Sequence, residues 1–264
     1  MVVYITITNT HFLTEMGVFF YSKEDMRQNY ENYSKENQEV WKLLFNRQKE
    51  NLAIKGSKYY NDCLEQLAPC LNEKGIPNFE EMNRFFESRT AWKIHVVPGL
   101  IPVEEFFDLL ANKKFCSSTW LRTREQIDYL EEPDMFHDIF GHIPLLLNST
   151  FSKFAQAFGK LGQQFKGNEE MLLKLQRIYW FTIEFGLIKE EGELKVYGAG
   201  IASSFGETNH VFDPNIKHIK YQIQEVMGCE FHTDIIQEKY FVIDSLEELY
   251  TSLKLLALNL KKTA

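Results

Sequence analysis

The chain lacks most of what marks a secreted, membrane-bound or nucleic-acid-binding protein. Its four cysteines, Cys63, Cys70, Cys116 and Cys229, have no CxxC spacing. Neither a disulfide framework nor a zinc cluster is therefore expected, and the thiols are read as reduced. The amino-terminal stretch MVVYITITNTHFLTEMGVFF has no basic region and only short apolar runs, the pattern of neither a secretory signal nor a membrane span. Lysine and arginine total 29 against 37 acidic residues, a net charge of −8. No basic cluster is dense enough to track phosphates, which argues against nucleic acid and anionic membranes as partners. Proline, glycine and serine gather into no linker, and there is no repeat or low-complexity tract. A soluble, cytoplasmic, single-domain chain is expected.

Aromatic residues, by contrast, are plentiful, at 14% with 22 phenylalanines. Most belong to an aromatic-rich core, and a few can line a pocket for an aromatic ligand. Residues 1–30 show no clear period and are read as an extension, with 31–264 as the functional domain. Ser34 can cap a helix whose buried stripe is Val40, Trp41, Leu43 and Leu44. Tyr60, Cys63, Leu64 and Leu67 mark a second helix. Asn78 with Glu81 resembles a capping box before Met82, Phe85 and Phe86. Trp92, Ile94 and Val96 alternate with polar residues as a strand does, and Pro102 opens a further helix. Helices are predicted over 132–140, 150–163 and 169–187, and a strand over 193–201 running into a glycine-rich turn. Asp244 and Glu247 are placed at the start of a last helix bearing Leu246, Leu249, Leu253, Leu256 and Leu260. The fold class is mainly α with a few short β-strands.

The chemistry concentrates in EEPDMFHDIFGHIP, residues 131–144. His137 and His142 are five apart, which on a continuous α-helix separates them by about 140°. They converge if the helix ends between them, and Gly141 followed by Pro144 supplies such an ending. The spacing is not that of HExxH, which disfavours a zinc protease. Glu184 lies in LQRIYWFTIEFGLI (175–188), a segment apolar nearly all round, where a carboxylate is costly unless paired or metal-bound. Two imidazoles and one carboxylate typify non-haem Fe(II) sites that activate oxygen. Two other readings stay open. One is a zinc hydrolase with a metal-bound water; the other is a non-catalytic helical protein in which Arg177 pairs with Glu184.

Four blocks, VPGLIPVEEFFDLLANKKF (97–115), EPDMFHDIFGHIPLL (132–146), IYWFTIEFGLI (178–188) and YGAGIASSFGE (197–207), resemble the catalytic domain of the pterin-dependent aromatic amino acid hydroxylases. The likeness is greatest to the short bacterial phenylalanine 4-hydroxylases. It implies that His137, His142 and Glu184 hold Fe(II), with Tyr179 bordering the iron. It implies further that Arg122 receives the substrate carboxylate, that Pro133, Trp180, Phe185 and Gly200 shape the aromatic pocket, and that Ser203 orients an iron-ligating histidine. Phe106 would stack on a tetrahydropterin such as tetrahydrobiopterin, with Ile101, Val103, Glu132 and Asp138 around it. O₂ is the implied co-substrate, and a dehydratase and a reductase that recycle the pterin are the implied metabolic partners. Two positions depart from the animal members, Leu130 for a threonine near the substrate and Val103 for a serine in the pterin loop. The chain also shows no regulatory domain and no long tetramerisation helix, so a monomer without allosteric activation is expected. Phenylalanine is the expected substrate, with tryptophan and tyrosine as alternatives.

Overall fold

The computed structural model describes residues 5–6 and 26–263, apart from 129, 131 and 234. β1 (Ile5–Thr6) is followed by the 3₁₀ turn Tyr30–Asn32 and by α1 (Lys35–Lys55). Ser34 Oγ accepts from the Asn37 amide while the Asn37 side chain accepts from the Ser34 amide, a reciprocal cap. Val40, Trp41, Leu44, Phe45 and Leu52 face inward. Leu43, expected in that stripe, is 36% exposed, and Phe45 takes its place because it continues the inward face from Trp41. α2 (Lys58–Gln66) is capped by Ser57, and α3 (Phe79–Glu87) by Asn78, whose side chain accepts from the Glu80 and Glu81 amides.

β2 (Lys93–Val96), β3 (Ile101–Pro102), α4 (Val103–Ala111) and β4 (Lys114–Ser117) follow. β1 pairs with β3, and β2 pairs in parallel with β4, Ile94 opposite Phe115. α4 lies against α5 (Ser149–Gln163), and glycines on α5 permit the close approach. A Cβ at Gly162 would stand 2.2 Å from the Phe107 ring, and one at Gly159 2.3 Å from the Ala111 amide nitrogen. Both neighbours are buried, so neither can yield cheaply. Gly162→Ala is therefore expected to lower stability by about 1–3 kcal/mol through overpacking. A urea midpoint equal to wild type would show that α4 and α5 separate without cost.

Between β4 and α5 runs a π-helix over His137–His142, in which backbone hydrogen bonds span five residues. α6 (Glu169–Tyr179) passes directly into a second π-helix, Trp180–Glu184. The predicted helices 132–140 and 169–187 are thus each corrected, the second ending before β5 (Leu187–Glu190). β5 and β6 (Glu193–Val196) form a hairpin through Glu191 and Gly192, with φ of 51° and 87°. That is the left-handed pair a two-residue hairpin turn requires. The strand expected at the start of 193–201 ends at Val196, and the glycine-rich turn after it winds into α7 (Ala199–Ala202), followed by α8 (Phe205–His210). β7 (Lys217–Lys220), α9 (Ile223–Gly228), β8 (Lys239–Ile243) and α10 (Leu246–Thr263) complete the chain.

The largest sheet has the order β6-β5-β8-β7, with β8 parallel to both neighbours. At the start of α10 the cap is Ser245, whose Oγ accepts from the Glu248 amide, while Glu248 accepts from the Asp244 amide. Asp244 and Glu247 were each expected one residue early. A single apolar core joins α1, α4, α5, α6 and the sheet, and the two π-helices meet inside it. The architecture is mainly α with short strands, as expected. Of the segment read as an extension, residues 1–4 and 7–25 lie outside the described residues.

Candidate active site

The π-helix changes how five-residue spacing is read. With hydrogen bonds closing from each residue to the fifth, His142 comes round above His137 without any break in the helix. Their Nε2 atoms stand 3.2 Å apart and the rings cross at 81°. Gly141 is therefore not a terminator. A Cβ there would lie 2.8 Å from the Ala199 carbonyl oxygen, so the glycine serves close packing of the π-helix on α7.

The second π-helix brings in Glu184, which is 1% exposed. Its Oε1 lies 3.1 Å from His142 Nε2 and its Oε2 3.7 Å from His137 Nε2. Arg177 is elsewhere engaged, its Nη1 donating to the Met227 carbonyl, so the Arg177–Glu184 pair does not form. Donor atoms of His137, His142 and Glu184 all fall within 4.8 Å of one another. Burial, partly opposed by Glu184, depresses the His137 pKa to about 4, which keeps the imidazole neutral and its nitrogen lone pair free at neutral pH. Burial pushes the Glu184 carboxyl up, but His142 and His137 outweigh it and hold it below the usual carboxylate range. Two imidazole nitrogens facing one carboxylate in a dry pocket fit a divalent transition metal with open coordination positions.

Ser203 supports this arrangement. Its Oγ donates to the Ala199 carbonyl at 2.9 Å and lies 2.9 Å from His137 Nδ1. With its proton committed to Ala199, the hydroxyl accepts from Nδ1–H, which directs the Nε2 lone pair toward Glu184. Ser203→Ala is expected to lower metal affinity or turnover by about 10- to 100-fold while leaving the melting temperature of the metal-free protein nearly unchanged. Wild-type kinetics in that variant would remove the serine from any such role.

A second arrangement orients Arg122. Its Nε and Nη2 donate to Asp134 Oδ2 and Oδ1 at 2.8 and 2.9 Å, a bidentate pair, and its own amide also donates to Oδ2. Asp134 Oδ1 accepts in addition from the His137 amide. Burial raises the Asp134 carboxyl, yet Arg122 and these hydrogen bonds win and hold it below its ordinary value. One aspartate thus links the arginine to the first histidine. The sequence reading passed over Asp134, although an acidic residue three before His137 in an apolar run was the available signal.

A cleft of about 180 Å³ opens beside His137, and Arg122, Leu130, Glu132, Pro133 and Ser203 line it. Glu207, Ile235 and Ile236 also line it and were not anticipated. Trp180 and Phe185 are not among the residues that line it. The Trp180 indole donates to Gln237 Oε1 at 3.0 Å and stacks on Phe231, while Phe185 packs on Trp180. The Gln237 amide nitrogen in turn donates to the His232 and Ile235 carbonyls, fixing the loop that carries the two isoleucines. Gly200 is buried in α7.

The residues expected around a pterin are more dispersed. Phe106 is fully buried, edge-on to Tyr179 at 5.0 Å and to Phe115, inside the aromatic core. Tyr179 stacks on the His142 ring, and Phe115 packs against the same ring at 4.6 Å. Ile101 is buried and Val103 half-buried at the start of α4, and Asp138 accepts from the Ser118 amide at the end of β4. Of that group only Glu132 reaches the cleft.

Comparison with known proteins agrees with this geometry. The family model described as biopterin-dependent aromatic amino acid hydroxylase matches residues 10–264. A phenylalanine-4-hydroxylase of Ralstonia nicotianae is 40% identical over 228 residues, 85% of this chain and 71% of the relative. Phenylalanine hydroxylase of Chromobacterium violaceum, solved with iron(III) and 7,8-dihydrobiopterin, superposes with a TM-score of 0.83 at 37% identity, covering 91% of this chain and 87% of that one. The same enzyme solved with iron and phenylalanine gives a TM-score of 0.81 at 34% identity, covering 91% and 88%. The chain belongs to the biopterin-dependent aromatic amino acid hydroxylases.

Proposed function

We propose that this chain converts L-phenylalanine to L-tyrosine with O₂ and a tetrahydropterin, at an Fe(II) held by His137, His142 and Glu184. The observation that carries the reading is the convergence of three buried donors beside a cleft that also holds Arg122. Relatives that bind iron, a biopterin and phenylalanine support it. When bound, the iron and the reduced pterin together supply the activation of O₂.

The chain's own residues bind, orient and exclude. Arg122, locked by Asp134, presents its remaining N–H groups to the amino acid carboxylate. Leu130 and Pro133 meet the aromatic ring, and Ser203 keeps His137 in the ligating tautomer. Burial of the three donors keeps water from the reacting ring. The preference for phenylalanine rests on the resemblance and on the relatives, since the cleft carries Glu132 and Glu207 as well as apolar side chains. The roles of Phe106, Ile101, Val103 and Asp138 toward the pterin, and of residues 31–264 as the catalytic domain, belong to the same proposal. So do the cytoplasmic setting, the monomer, and a dehydratase and reductase to recycle the pterin. Among the described residues no helix is long and apolar enough to cross a membrane.

The test is product analysis with Fe(II), tetrahydropterin and equimolar phenylalanine, tyrosine and tryptophan. Tyrosine should form fastest and only with both iron and pterin present. Faster formation of L-DOPA or 5-hydroxytryptophan would move the substrate to another member of the class, and turnover without O₂ would reject a hydroxylase.

A further inference from the structure

An amino acid at neutral pH carries an ammonium as well as a carboxylate, and the cleft must answer both. Arg122 answers the carboxylate. Three acidic residues line the same cleft, Asp128, Glu132 and Glu207. Asp128 is exposed and already paired with Arg47. Glu132 is exposed at the rim, where water screens a charge and weakens it as an anchor.

Glu207 differs from both. It is 7% exposed, and none of the ion pairs among the described residues includes it. Its Oε2 accepts from the Tyr240 hydroxyl at 2.5 Å, and among the described residues its Oε1 has only a long 3.4 Å contact from the Gln237 amide. A carboxylate offers about four lone-pair sites, so Oε1 keeps accepting capacity. Burial raises its carboxyl above the usual range, although Tyr240, the Gln237 amide and the neighbouring His210 act in the opposite sense. It stands on α8, four residues after Ser203, and lines the same cleft as His137.

We propose that Glu207 receives the α-ammonium of the amino acid substrate, making the cleft a two-point receptor for a zwitterion with Arg122 as the other pole. The inference rests on the amino acid reading of the site. Tyr240 and Gln237 hold the carboxylate in place, so it need not reorganise when the ammonium arrives. A desolvated opposite charge strengthens such a contact. An acid of the same shape without the amino group forgoes this contact and binds more weakly.

Calorimetric titration of the anaerobic Fe(II) protein with phenylalanine and with 3-phenylpropanoate tests this. Wild type should bind phenylalanine at least about 10-fold more tightly than 3-phenylpropanoate. E207Q should weaken phenylalanine on the order of 10-fold while leaving 3-phenylpropanoate unchanged, and E132Q should preserve the wild-type ratio. Equal losses for both ligands in E207Q, or loss of the ratio in E132Q instead, would overturn the assignment. If E207Q does not fold, E207D, which retracts the charge by one methylene, is titrated in its place. There too phenylalanine alone should weaken, and an unchanged ratio overturns the proposal. Wild-type protein that binds neither ligand would overturn the amino acid reading and the proposal together.

Discussion

Glu184→Ala is expected to leave a folded chain that no longer holds iron. Wild type should bind one iron per chain, and the variant should retain almost none after desalting, as measured by metal analysis. The reason lies in the donor set. Without the carboxylate, two imidazole nitrogens 3.2 Å apart remain, with nothing to balance a divalent charge in a buried pocket. Thermal melting gives an independent reading. Iron at about 100 times its dissociation constant should stabilise wild type by about 2.7 kcal/mol and the variant not at all. Glu184→Gln, which keeps the volume, should behave like the alanine variant if charge is what matters. Full iron content in Glu184→Ala would mean that the metal, if any, lies elsewhere.

The second large effect concerns Arg122. Arg122→Ala should reduce kcat/KM for phenylalanine by about 10- to 150-fold, the loss of charge-assisted hydrogen bonds worth roughly 1.5–3 kcal/mol, with iron content unchanged. It should also destabilise the protein by about 3–5 kcal/mol, because it strands Asp134, which is 0% exposed, without its cation. The two losses separate in the double variant Arg122→Ala, Asp134→Ala, which should regain part of the stability and none of the substrate affinity. Acid exposes the same pair. The Asp134 carboxyl is held below its ordinary pKa, so its contribution is complete above that ordinary value and disappears as pH falls through the folded one. Arg122→Ala should therefore flatten the acid limb of the stability profile. Undiminished kcat/KM in Arg122→Ala would remove the arginine from substrate binding.

Much of this was legible in the residues, and the illegible part has definite causes. Ser34 and Asn78 announced their helices because a capping side chain acts within three residues of itself. The ligand trio was legible through the chemistry of its members and the price of burying Glu184. How His137 and His142 meet was not, because an α-helical template of 3.6 residues per turn makes five-residue spacing look divergent, and Gly141 then looks like a helix end. Only the fold shows Ala199 pressed against that glycine. Glu207 and Gln237 were missed for another reason. Each is a lone polar residue with no periodicity around it, and each acquires meaning from partners 30 to 57 residues away. The partner of the Trp180 indole was equally illegible: its N–H needs a buried acceptor, and Gln237, 57 residues on, supplies it.

The stretch from Gly198 to Ser203 packs against both π-helices that carry the trio. A Cβ on Gly198 would stand 2.4 Å from the Glu184 carbonyl oxygen, Ala199 abuts Gly141 between the two histidines, and Ser203 meets the His137 ring. Six consecutive residues therefore act as one brace for groups that come from two separate π-helices. A displacement of this brace carries all three donors with it, and their mutual distances survive. Local unfolding of the same stretch releases all three together. Opening of this one stretch is therefore expected to cost the site all of its donors at once rather than one at a time.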